Sequence, residues 1–181
     1  MMENAMRHVL AALVLAALPA AAQAPMPYAG MQQRPIKALS ADAQADLLAG
    51  RGMGLALAAE LNGFPGPMHV LELADHLGLT PAQREATTAL MARMRTEAIR
   101  LGQAIVAAES ALDQAFAART IDRAAVSRHA AAIATLQGEL RAVHLATHLD
   151  QAALLTTAQV AAHGSARGYA GEAPAGHHRR H

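Results

Sequence analysis

LTPAQREATTALMARMRTEAIRLGQAIVAAESALDQAFAA, residues 79–118, is the stretch that decides the fold. Thr80 is a good N-cap, Pro81 suits the first helical position, and Gln83 at the third can reach back to the cap, which together make a capping box. Behind it, positions 91, 94, 98, 101, 105, 108, 112 and 115 carry Met, Met, Ala, Leu, Ile, Ala, Leu and Ala. Steps alternating between three and four residues define a heptad seam. At 1.5 Å per residue a helix from 81 to 118 spans roughly 57 Å, which favours an elongated hairpin over a compact globule. Arg119-Thr120-Ile121-Asp122 makes the turn. A return helix is expected at 123–154, with Val126, Ile133, Leu136, Leu140 and Val143 as its main stripe. Leu145 and Leu149 fall on nearly the opposite face, so this helix must pack on two things near its end. A short helix at 68–77 and a second protomer are the two candidates.

Working outward, Leu155-Thr156-Thr157-Ala158-Gln159 repeats the opening motif. Thr156 caps, Gln159 reaches back, and Leu155 can staple to Val160. On the other side, Asn62-Gly63-Phe64-Pro65-Gly66-Pro67 is a strong break. The short helix at 68–77 follows it and ends at Gly78, a C-cap residue. A first helix is expected over 40–62, capped by Ser40 with Asp42 in its first turn. Gly50, Gly52 and Gly54 interrupt it as a kink or a close helix approach; the lysine and Ser/Thr of a phosphate-binding loop are missing. The expected fold is all-α: an elongated antiparallel hairpin with short flanking helices, four or five in all.

The first 22 residues have the order of a secretory signal. Arg7 and His8 precede a ten-residue apolar run, VLAALVLAAL, and then Pro19 and small residues. The run is half the roughly 20 residues a spanning helix needs. Cleavage after Ala22 satisfies the small-x-small rule and leaves Gln23 first, whereas cleavage after Ala24 would leave a proline. A periplasmic protein with no membrane attachment after cleavage is therefore expected, with a mobile leader at 23–39, a helical domain at 40–163 and a flexible tail from Gly164. The chain has no cysteine, so it has no disulfide, no thiolate metal site and no lipid anchor. Its hydrophobic content is 53%, rich in the strong helix former alanine, against 2% aromatic residues, so contacts between helices should be thin. A net charge of +1, a single lysine (Lys37) and no basic block exclude a nucleic-acid surface. No serine sits in a Gly-x-Ser-x-Gly elbow, no His-Glu-x-x-His is present, and an enzyme is not expected.

Two copies of Leu-Thr-x-x-Gln (Leu79, Thr80, Gln83 and Leu155, Thr156, Gln159), each opening a helix, sit in a cysteine-free chain behind an export signal. This pattern resembles the Spy/CpxP, or LTXXQ, family over residues 40–163. The stretch GRGMGLALAAELNGFPGPMHVLE at 50–72 is similar to an alphaproteobacterial-type branch of it. The resemblance implies a hairpin-shaped protomer of four helices, often dimerising into a curved cradle. It also implies either an ATP-independent periplasmic chaperone that holds unfolded clients in an envelope-stress response, or a sensor or resistance accessory for heavy metals. Sensors of this superfamily use a His-x-x-x-His or His-x-x-x-Met pair with outside ligands. A homodimer and either unfolded clients or a signalling partner are the implied associations.

Two histidine sets bear on that choice. His144 and His148 are four residues apart, so both imidazoles lie on one helical face. His69, Glu72 and His76 lie within about 60° on one face of the short helix. Four imidazoles and a carboxylate suit zinc, nickel, cobalt or copper(II). The short helix joins the hairpin through only Gly78 and Leu79, so it can fold back on Leu145 and Leu149 and bring the two sets together. His129 and His163 are isolated and carry no expected role. Met91 and Met94 are expected to fill the seam, and the terminal His177, His178 and His181 to add solubility.

Overall fold

The computed structural model describes residues 26–169; the expected signal with its expected cleavage site, and the residues from 170 onward, lie outside them. The described residues are all-helical. A 3-10 turn at Met31–Gln33 precedes six helices: α1 (Ala41–Ala49), α2 (Leu57–Glu60), α3 (Pro67–Glu72), α4 (Pro81–Ala117), α5 (Arg123–Ala153) and α6 (Thr157–Ala166). None of the described helices is long and apolar enough to cross a membrane.

Capping explains where the elements start. Ser40 accepts from the Ala43 amide at 3.0 Å, and Asp122 accepts from the Ala125 amide at 2.7 Å. Both Leu-Thr-x-x-Gln motifs form complete capping boxes, at the heads of α4 and α6. Their glutamines also meet each other. Gln83 Nε2 donates to Gln159 Oε1 at 2.9 Å and to the Leu154 carbonyl at 2.9 Å. Gln159 Nε2 donates back to Gln83 Oε1 at 3.1 Å and to the Leu77 carbonyl at 3.3 Å. The two helix heads are thus clasped through one reciprocal amide pair.

α5 packs against α4 and ends beside that clasp. Gln151 donates to Thr87 at 3.2 Å, and further on Ala98, Leu101 and Ile105 of α4 bury with Leu140 of α5 and Leu47 of α1. Gly102 permits the third partner: a Cβ there would stand 2.0 Å from the Leu47 carbonyl oxygen, so no side chain fits between α1 and α4. A second apolar cluster joins Val70, Ala74, Leu77 and Leu79 to Leu155 and Ala162, under α6.

The structure corrects several boundaries. The expected helix over 40–62 is two helices, because Gly50 (φ 64°) and Gly54 (φ 75°) take left-handed conformations that an α-helix cannot continue. The short helix ends at Glu72, not 77, and its hydrogen bonding tightens at Ala74 N to Leu71 O. That tightening lets positions 70, 74, 77 and 79 enter one cluster. Residues 26–39, expected as a mobile leader, bury Ile36 at 5% exposure, and Lys37 bonds Asp113 of α4 at 3.0 Å. The tail expected from Gly164 is helical through Ala166, because Arg167 and Tyr169 beyond it are anchored to the site described below. Leu149 is exposed and does not receive the short helix; Leu155 and α6 take that role.

Candidate metal centre

The last third of α5 buries a polar face. Leu140, His144, Thr147, His148 and Gln151 are all less than a tenth exposed and continue the stripe at helical spacing. The polar members face α4 and the 57–69 segment, where Glu60 is the organising residue. It closes α2 and is 5% exposed. The Asn62–Pro67 break turns the chain back over it, so the Gly66 amide donates to Glu60 Oε2 at 2.8 Å. His69, on α3, donates from Nδ1 to Glu60 Oε1 at 2.9 Å. Tyr169 offers its hydroxyl to the same oxygen at 3.4 Å. His163 of α6 places Nε2 3.7 Å from Oε1, and His148 of α5 places Nδ1 3.6 Å from Oε2. One buried carboxylate therefore faces imidazoles from three helices.

Burial alone pushes the Glu60 carboxyl upward, and it is the largest single influence. The hydrogen bonds from His69 and the Gly66 amide, with the charges of His69 and His163, outweigh it and hold the group below its ordinary value. His163 is pushed down, by burial first and then by His69, Arg167 and His148, against the pull of Glu60. Burial, with a smaller push from His148, also lowers His144. The latter two imidazoles thus favour the neutral form, which is the ligand form. The Nε2 atoms of His144 and His163 are buried without a hydrogen-bond partner. An orphan of this kind costs about 1–3 kcal/mol, so each is a donor atom in want of a partner.

Glu60, His69 and His163 each offer one ligand atom, all within 4.8 Å of one another. Around a tetrahedral zinc ion with bonds near 2.0–2.1 Å, ligand atoms stand about 3.3 Å apart. The observed 2.9 Å and 3.7 Å bracket that value. The hydrogen-bond pattern also defines what a metal must displace. Arg167 Nη2 donates to His69 Nε2 at 3.3 Å, which holds the proton on Nδ1, the atom that faces Glu60.

Among the residues singled out in the sequence, His69 and His148 both border Glu60, and His144 lies one turn from His148 along α5. Glu72 and His76 are exposed and stand outside the centre. The backbone tightening after α3 takes His76 off the face that holds His69. Glu60 supplies the carboxylate in place of Glu72, and His163, set aside as isolated, supplies an imidazole. Each had a signal: Glu60 is the only acidic residue between 52 and 71, and His163 is the only titratable group on α6. Leu79, Thr80, Gln83, Leu155, Thr156 and Gln159 cap and clasp; they do not touch the carboxylate. Compared with known proteins, the chain matches no family model, no curated protein and no solved structure.

Proposed function

We propose that this is a periplasmic metal-binding protein, a heavy-metal sensor or resistance accessory, which takes a divalent transition ion at Glu60, His69 and His163. The observation that carries this is the buried carboxylate facing three imidazoles, one of them with an orphaned nitrogen. Two nitrogens and an oxygen suit zinc, nickel, cobalt or copper(II), and His148 is the nearest further imidazole. In this reading the α4–α5 pair is the hairpin of a Spy/CpxP-like protomer that works as a dimer. The resemblance of the two Leu-Thr-x-x-Gln motifs and the export signal support it. Calorimetry with zinc, nickel, cobalt and copper(II) at neutral pH tests the reading. A His69→Ala, His163→Ala double variant should lose at least tenfold in affinity, and equal affinity would refute the reading.

The chaperone reading stands second, favoured by exposed apolar side chains in one segment: Leu57, Leu61, Phe64 and Met68. Such a surface can shield unfolded clients without nucleotide. Suppression of light scattering by a denatured client, lost on Leu57→Ser with Leu61→Ser and kept in the histidine variants, would put it first.

A further inference from the structure

Beside the Glu60 centre lies an open cavity of about 570 Å³ between α4, α5, α3 and the 50–56 loop. Met53, Met68, Met91 and Met94 all line it, four of the six methionines among the described residues. They come from three separate pieces of chain: the glycine loop, α3 and α4. Met91 and Met94 occupy seam positions, where a filler would be buried. Both are only half-buried, and neither belongs to the apolar clusters that hold the fold. His144 also lines the cavity; it is 3% exposed and its Nε2 has no partner.

We infer that this cavity is a second metal site, distinct in kind from the first, which takes a soft monovalent ion, copper(I) or silver(I), on methionine thioethers and the His144 imidazole. Thioethers are soft, neutral ligands, and softness selects copper(I) over zinc, nickel or cobalt. Charge points the same way. The thioethers and a neutral imidazole themselves bring no negative charge against the desolvation of a divalent ion. Two arginines border the cavity. Arg51 is paired with Asp46, while Arg95 brings a positive charge whose repulsion of a monovalent ion is half that of a divalent one. The Glu60 carboxylate borders the same space and offsets part of it. The first centre therefore suits divalent ions and the second monovalent ones. This inference does not depend on the first centre binding anything.

Silver(I), which does not change oxidation state, is the probe. The full chain, labelled with carbon-13 at the methionine methyls, is titrated while the methyl resonances are followed. Met53, Met68, Met91 and Met94 should shift together and saturate at one equivalent, while Met26 and Met31, outside the cavity, stay still. Met91→Leu with Met94→Leu, a near volume-conserving pair, should weaken silver binding at least a hundredfold and leave nickel binding within twofold. His163→Ala, whose imidazole belongs to the Glu60 centre and not to the cavity lining, should weaken nickel binding and leave silver binding within twofold. Met68→Leu alters a half-exposed side chain off the helix pair, so its loss of silver affinity keeps the test independent of folding. Shifts spread evenly over all methionines or confined to the first six residues, or undiminished silver affinity in the leucine variants, would overturn the inference.

Discussion

Gly66→Ala isolates the most crowded point of the centre. A Cβ on Gly66 would stand 2.8 Å from both Cε1 and Nε2 of His148 and 3.4 Å from Glu60 Oε2. The backbone itself raises no objection, since φ −82° and ψ 150° suit alanine. The cost is therefore steric. Ordinary contact requires the gap to open by about 0.6 Å. The His148 ring cannot swing freely, because Nδ1 donates to the Phe64 carbonyl at 2.8 Å, and Gly66 cannot retreat without stretching its own 2.8 Å bond to Glu60. Overpacking of this kind costs about 1–3 kcal/mol, and one weakened hydrogen bond adds about 1 kcal/mol. A net loss of about 2–3 kcal/mol lowers Tm by roughly 5–10 °C in a chain of this size. Thermal unfolding followed by circular dichroism reads it, with Gly138→Ala as the control. Gly138 lies within α5 with nothing within 4 Å of a built Cβ, so alanine there should stabilise by up to about 1 kcal/mol. If Gly66→Ala behaves like Gly138→Ala, His148 does not stand against Gly66 and the described centre is wrong.

Arg167→Gln should raise affinity for zinc or nickel several-fold, because it removes a cation that holds the proton on the ligating face of His69 and supplies a neutral acceptor in its place; calorimetry showing a fall would contradict the assigned tautomer. Acid should destabilise the fold in two stages. His144 and His163 are pushed down in the folded state, so their contribution is full above the ordinary imidazole value near 6.5 and is lost as pH falls through their folded values. The depressed Glu60 carboxyl contributes above the ordinary value near 4.5 and loses that contribution at still lower pH. Urea denaturation with equal stability at pH 8 and pH 5 would exclude the first stage. Gln83→Ala and Gln159→Ala should each cost about 1–2 kcal/mol, and the double variant less than their sum, since either deletion already opens the clasp; strict additivity would mean that the two amides do not interact.

The framework was legible because it rests on local rules. The capping boxes at Thr80 and Thr156 and the apolar spacing through Leu101 and Ile105 are written in consecutive residues. The centre was only half legible. His69 and His148 belong to recognisable pairs, but Glu60 enters the site by the chain reversal at 62–67, which spacing along a single helix does not show. His163 arrives through the clasp between residues 76 apart in sequence. The same limit misassigned Met91 and Met94. Their seam spacing predicts burial, but the neighbour they would need is replaced at that level by the Gly50–Gly54 loop and an open space. Thr147 and Gln151 look like solvated positions because they are polar, and only α4 packed against them makes that face interior.

The clasp has a property that the rest of the site lacks. Gln83 and Gln159 are amides, and neither carries a proton that moves or a charge that salt can screen across the ordinary range of pH and ionic strength. Yet this pair fixes the head of α6, and so the position of His163 three residues into the next turn beyond Val160. The carboxylate and the imidazoles around it can change their charge, while the tie that sets their spacing cannot. The molecule therefore separates its ruler from its ink: proton and ion traffic can rewrite the electrostatics of the centre while the distance between the two helix heads stays the same.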